Sequence, residues 1–144
     1  QLNCLNALTG KKVWATNILT DAGAKNINWA MAGSPLVVGN MVIVNPGGEK
    51  GSGVIAYEKT SGKKLWAVGN DPASYTSPVL ANLLGKEQVI IFGGKGPVGH
   101  DPESGEELWR FAWENEPKVN AAIPILEGIV TRDPAKNAPS TIDA

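Results

Sequence analysis

His100 and Asp101 stand side by side in "VGHDPESG", and a histidine beside a carboxylate is raw material for general-base catalysis. Neighbouring residues of a strand point to opposite faces, so adjacency alone does not make a catalytic pair, and a packed or surface histidine is expected. A nucleophile is missing as well, because the G-x-S-x-G elbow does not occur. The glycine-rich "NPGGEKGSG" (45–53) invites comparison with a phosphate cradle. It lacks the Lys-Ser/Thr of a P-loop and ends in no helix, so a loop between strands is expected. "DPASY" (71–75) and "DPESG" (101–105) read as Asp-Pro turns, without the alternating carboxylates of a calcium loop. Cys4 is the only cysteine, which excludes an internal disulfide and a cysteine metal cluster. What remains is five tryptophans, a ring type suited both to ligand stacking and to packing.

Three of these rings end a recurring phrase. "LTGKKVW" (8–14), "TSGKKLW" (60–66) and "ESGEELW" (103–109) align on Gly10, Gly62 and Gly105. Each glycine follows a hydroxyl residue (Thr9, Ser61, Ser104) and precedes a tryptophan by four positions (Trp14, Trp66, Trp109). Three residues before the hydroxyl stands Asn6, Glu58 or Asp101, and two before that a small residue, Cys4, Ala56 or Gly99. A second phrase interleaves with the first, "AGSPLVV" (32–38), "YTSPVLA" (75–81) and "NAAIPIL" (120–126), aligned on Pro35, Pro78 and Pro124. Together they define a unit of about 43 residues with four short strands. The two complete units place strands near 34–38, 41–45, 53–58 and 64–68, then 77–81, 87–92, 97–101 and 107–111.

Elementary conformational rules account for the phrase. A strand ending in a polar residue, a glycine turn and a second apolar strand form a hairpin. The glycine accepts a positive φ, while the hydroxyl and the acid or amide bond local backbone N–H groups. The tryptophan then opens the last strand with more apolar surface than one sheet can bury, so a neighbouring sheet must cover it. Radially stacked units of this size are the blades of a β-propeller, and the fold class expected is all-β, a partial β-propeller of two to three four-stranded antiparallel blades.

The composition narrows the function. The net charge is −1, from 13 basic and 14 acidic residues that are interspersed, so neither a nucleic-acid stripe nor a polybasic membrane patch is expected. Apolar runs are strand-sized, and no membrane span is expected. "QLNCLNALTG" has no charged n-region or apolar h-region, so any signal peptide is absent or lies upstream.

The pattern A-x-D-x-x-T-G-x-x-x-W, matched by "AYEKTSGKKLW" (56–66) and more loosely by "GHDPESGEELW" (99–109) and "CLNALTGKKVW" (4–14), resembles the tryptophan-docking motif of propellers with pyrroloquinoline-quinone (PQQ) repeats. The resemblance extends over 1–130 and points most closely to BamB-like bacterial members. It implies that 1–14 is the end of a blade, 32–66 and 75–109 are full blades, and 120–130 starts another. Residues 131–144 form a divergent or disordered tail on this map. Members usually carry seven or eight blades, so an arc whose other blades are its structural partners is implied. The proline phrase would lie innermost, and Trp14, Trp66 and Trp109, with Gly10, Gly62 and Gly105, would dock blade on blade.

The same resemblance offers three functional classes. A non-catalytic binding or scaffold module of an exported protein, periplasmic or extracellular, is the first expectation. Part of a PQQ-dependent alcohol or sugar dehydrogenase is the alternative, and a sensor ectodomain the third. The dehydrogenase site implies PQQ with calcium on a Glu and an Asn, a separate Asp base, a Trp floor and vicinal cysteines. None of these maps onto a residue here, so no catalytic residue, metal ligand or cofactor is assigned, and PQQ with calcium is expected only with the complete protein. Trp29 and Trp113 fall outside the repeat, in connectors between blades, which share the end of a propeller where ligands bind. Trp29, Tyr75, Trp113 and Asn120 are therefore the candidate face for a ligand or for a protein or peptide partner.

Overall fold

The computed structural model describes residues 1–113 and 120–124. The expected blade start (120–130) lies outside the described residues beyond 124, as does the expected tail, 131–144. Three antiparallel sheets follow one another along the chain. The first pairs β1 (Leu2–Leu5) with β2 (Lys12–Thr16). The second has the order β3 (Leu36–Val38), β4 (Met41–Val44), β5 (Val54–Glu58), β6 (Lys64–Val68), each strand beside its neighbour in sequence. The third repeats that meander as β7 (Val79–Leu83), β8 (Lys86–Gly93), β9 (Gly96–His100) and β10 (Glu107–Arg110). These strands fall on the runs that the repeat predicts, displaced by a residue or two at most ends.

One element was not expected. The connector after β2 contains a short helix, α1 (Ile18–Ala22), whose first turn is capped by the side chain of Asn17 and which Gly23 ends in the left-handed region. Five residues are too few to leave a period of 3.6 in the sequence, and the caps alone are also turn signals. Its apolar side has a use: Ile18 and Ala22 join Leu2 in covering Val44, Ile55 and Tyr57 of the second sheet.

The sheets bury their faces against each other. On the opposite face of the second sheet Ile43, Val54 and Ala56 meet Val89 and Ile91 of the third, with Trp66, Leu36 and Leu80 at the border. Each such Ile or Val contributes about 1.5–3 kcal/mol relative to exposure. No single sheet has two sides of its own to form this core. The first strands of the two four-stranded sheets, β3 and β7, also touch. Ser34 N–H donates to Ser77 Oγ at 2.8 Å, and a Cβ on Gly33 would lie 2.4 Å from the Thr76 carbonyl oxygen.

Candidate functional site

The three recurring turns share one backbone circuit. Gly10, Gly62 and Gly105 N–H groups donate to the carbonyls of Asn6, Glu58 and Asp101 at 2.8–2.9 Å. All three glycines have φ between 67° and 76°. Asn6 Oδ1 accepts from the N–H of Leu8 and Thr9, and Asp101 Oδ1 from those of Glu103 and Ser104. The N–H of Ser104 is the first reason that the Asp101 carboxyl titrates below the ordinary range. Glu58, one methylene longer, takes the Ser61 hydroxyl and the Asn40 amide instead.

The rings that follow meet these turns across the sheet boundaries. Trp14 lies on Gly62 of the next sheet, where an added Cβ would come within 2.7 Å of the indole, and its Nε1–H donates to the Lys59 carbonyl at 2.9 Å. Trp66 lies in the same way on Gly105, again at 2.7 Å from a built Cβ. Its Nε1–H finds no acceptor among the described residues. Gly10, in the first turn, has open space at that position. Trp109 differs. It lies over Gly99 of its own sheet, and its Nε1–H donates to Gln88 Oε1 at 2.6 Å. The small residues of the repeat also find a reason here, because Cys4, Ala56 and Gly99 are the cross-strand partners of Trp14, Trp66 and Trp109. At Gly99 even a Cβ would come within 2.2 Å of the Trp109 ring.

The connectors and the second-to-third strand turns gather at the opposite end. There Trp29 is 72% exposed, with its ring tilted by 58° against Tyr75 at a centroid distance of 5.8 Å. Trp29 N–H donates to Tyr75 Oη at 3.2 Å. Tyr75 N–H donates in turn to the Asn120 carbonyl at 2.9 Å. Asn120 is 7% exposed, and its amide donates to the Gly93 carbonyl at 2.8 Å. The Ser74 hydroxyl donates to the Asn120 carbonyl, and the Asn120 N–H returns to Ser74 Oγ at 2.5 Å. The candidate face thus brings Trp29, Tyr75 and Asn120 together, with Asn120 as an interior strut. Trp113 packs elsewhere, on Gly96 at the β8–β9 turn, its N–H on the Lys95 carbonyl. Its ring remains half exposed.

Two polar clusters escaped the sequence. Tyr57, fully buried, donates to Asp21 Oδ2 at 2.7 Å, and Lys64 Nζ pairs with Asp21 Oδ1 at 2.9 Å. Burial, then the Asp21 carboxylate, raises the phenol pKa well above its usual value. Burial opposes ionisation of Asp21, but Lys64 and Tyr57 outweigh it and hold that carboxyl below the ordinary range. Arg110 bridges Asp71 at 2.5 Å and Glu107 at 2.7 Å, which fastens the connector before β7 to the last strand. His100 is 3% exposed, with Nδ1 2.9 Å from the Gly105 carbonyl oxygen, so Nδ1 carries the proton and donates. Burial is the main cause of its lowered pKa. The histidine is packed under a turn, with Val89 and Glu107 as its cross-strand neighbours, and the Glu107 carboxylate is engaged by Arg110. No signal in the sequence pairs Asp21 with Tyr57 and Lys64, or Asp71 with Arg110.

The described residues do not fit the quinone site of the dehydrogenases. No three His, Cys, Asp or Glu side chains among them gather as metal ligands. The cavity beside Met31, Gly33, Ser74 and Thr76 encloses about 30 Å³, on the order of one or two waters. No described helix is long and apolar enough to cross a membrane.

Four-stranded meanders stacked face to face, with their first strands adjacent, define the chain as part of a β-propeller. A family model described as outer membrane protein assembly factor BamB matches residues 1–134, and the chain belongs to that family of PQQ-like repeat propellers. No curated protein matches the chain.

Proposed function

We propose that this chain is a non-catalytic binding and scaffold module of an exported bacterial protein, working in the periplasm. Its blades hold their neighbours through the Trp14–Gly62 and Trp66–Gly105 contacts, and its connector face receives a protein or peptide partner. The observation that carries the second half is Trp29, a large ring exposed to solvent yet held by Tyr75 from the side and from its own backbone. An amphipathic aromatic fixed before binding loses little entropy on contact, which is why such rings dominate protein interfaces. The family description, an assembly factor of the outer membrane, supports a protein partner and a periplasmic setting.

The test is retention of periplasmic partners by the immobilised chain, compared with Trp29→Ala and Tyr75→Ala. Both substitutions leave the cores intact and are expected to lower retention at least tenfold, about 1.4 kcal/mol. Unchanged retention in both would remove the binding face. A quinone absorption band after addition of PQQ and calcium would favour the dehydrogenase class instead.

A further inference from the structure

The end opposite the connectors carries every first-to-second and third-to-fourth strand hairpin. Lys59 N–H donates to the Asn40 carbonyl at 2.8 Å, and Lys86 reaches Asp101 at 3.3 Å, so inner and outer hairpins sit together there. The two tryptophan contacts set the three outer turns in a row. The first turn brings Lys11 and Lys12, and the second Lys59, Lys63 and Lys64 with Glu58. The third brings Asp101, Glu103, Glu106 and Glu107 and no lysine.

Some of these charges are already committed. Lys64 pairs with Asp21, Lys59 donates to the Gly39 carbonyl, Asp101 meets Lys86 and Glu107 meets Arg110. Lys11, Lys12 and Lys63 on one side, and Glu103 and Glu106 on the other, are exposed, with charged groups that pair with nothing among the described residues. The chain is nearly neutral, so this is a separation of charge and not an excess. Each half also holds an apolar knob. Leu8 is 97% exposed at the tip of the first turn. Leu84, 81% exposed, tips the inner hairpin of the third sheet at φ 54°, a left-handed position that glycine fills at Gly39 in the second sheet.

We propose that this hairpin end is a self-association surface: the lysine turns of one copy meet the glutamate turn of a second copy about a two-fold axis, with Leu8 and Leu84 as apolar anchors. A surface that holds both signs in separate halves is complementary to itself when turned over. A uniformly acidic partner or an anionic membrane would attract the first two turns and be repelled by the third. Complementary charge chooses the partner and its register, and the leucines supply the buried area. This surface lies away from Trp29 and Tyr75, so its failure would not touch the connector face.

Sedimentation velocity on the full chain tests the proposal. The chain should dimerise at low ionic strength and dissociate as added salt shortens the screening length to a few ångströms. Lys11→Glu/Lys12→Glu/Lys63→Glu and Glu103→Lys/Glu106→Lys should each weaken self-association at least tenfold while keeping the circular dichroism of the parent. An equimolar mixture of the two should dimerise again, because an acidic end then meets a basic one. The proposal is overturned by a chain that stays monomeric up to about 100 µM, a weak regime for a specific interface. A dimer untouched by the reversals, or a mixture that does not recover it, overturns it equally.

Discussion

The second and third sheets carry the same motif with one methyl group moved. In the second, the residue opposite Trp66 is Ala56, and the ring leans forward onto Gly105 of the next sheet. In the third, the residue opposite Trp109 is Gly99, and the ring lies back on its own sheet, where a Cβ at Gly99 would sit 2.2 Å from Nε1. Hydrogen bonding follows the same division, since Trp109 finds Gln88 within its sheet while the Trp66 N–H stays unpaired among the described residues. Trp66 thus sits between two sheets, while Trp109, which no sheet follows among the described residues, lies against its own, where Gly99 leaves room for the ring.

The sharpest way to break this comparison is to fill the glycines. Gly62→Ala and Gly105→Ala face both a positive φ and a ring in the way, and are expected to lose about 2–5 kcal/mol. Gly10→Ala meets only the backbone penalty, about 1–2 kcal/mol. Urea denaturation of the three variants reads the difference directly. Equal losses at all three sites would mean that the ring contacts carry no stability.

A smaller effect is expected from restoring the methyl group. Gly99→Ala should cost about 1–3 kcal/mol and lift Trp109 from Gln88. The indole N–H resonance of Trp109, assigned through Trp109→Phe, should move by more than any of the other four. An unmoved resonance would show that the small residue does not steer the ring.

The smallest effect is a slope. His100 supports Gly105 from below, and burial holds its folded pKa under the ordinary 6.5. The unfolded chain therefore binds the proton first as pH falls. The contribution of His100 is complete above the unfolded value and is lost as pH drops through the folded one. Urea midpoints should fall as pH drops below the ordinary histidine value, and His100→Gln should flatten that part of the profile. A flat wild-type profile would place the histidine in water, and one that rises as pH falls would mean that Glu107 stabilises its imidazolium.

The architecture was legible because it repeats. Gly10, Gly62 and Gly105 mark the same turn three times, and each Trp follows at the same distance, so local chemistry and global packing speak in one period. Trp29 and Tyr75 could be nominated only by their place before the proline phrase. Nothing in either segment announces that the two rings touch. Asn120 was nominated with them, yet its amide serves the backbone of Gly93, because burial decides the use of an amide and burial is a property of the fold. The Asp21–Tyr57, Asp21–Lys64 and Asp71–Arg110 pairs join residues too distant in sequence for any pattern to connect.

The two tryptophan contacts between sheets lean the same way, Trp14 on Gly62 and Trp66 on Gly105, each ring resting on a glycine that comes later in the chain. At these two boundaries a nascent polypeptide presents its indole before the seat exists. While the chain emerges from a ribosome or a translocon, the first sheet and then the second holds one greasy ring out to water until the following turn arrives. Synthesis from the amino end thus leaves a single sticky site that advances blade by blade, and a holding chaperone would have that one place to grip.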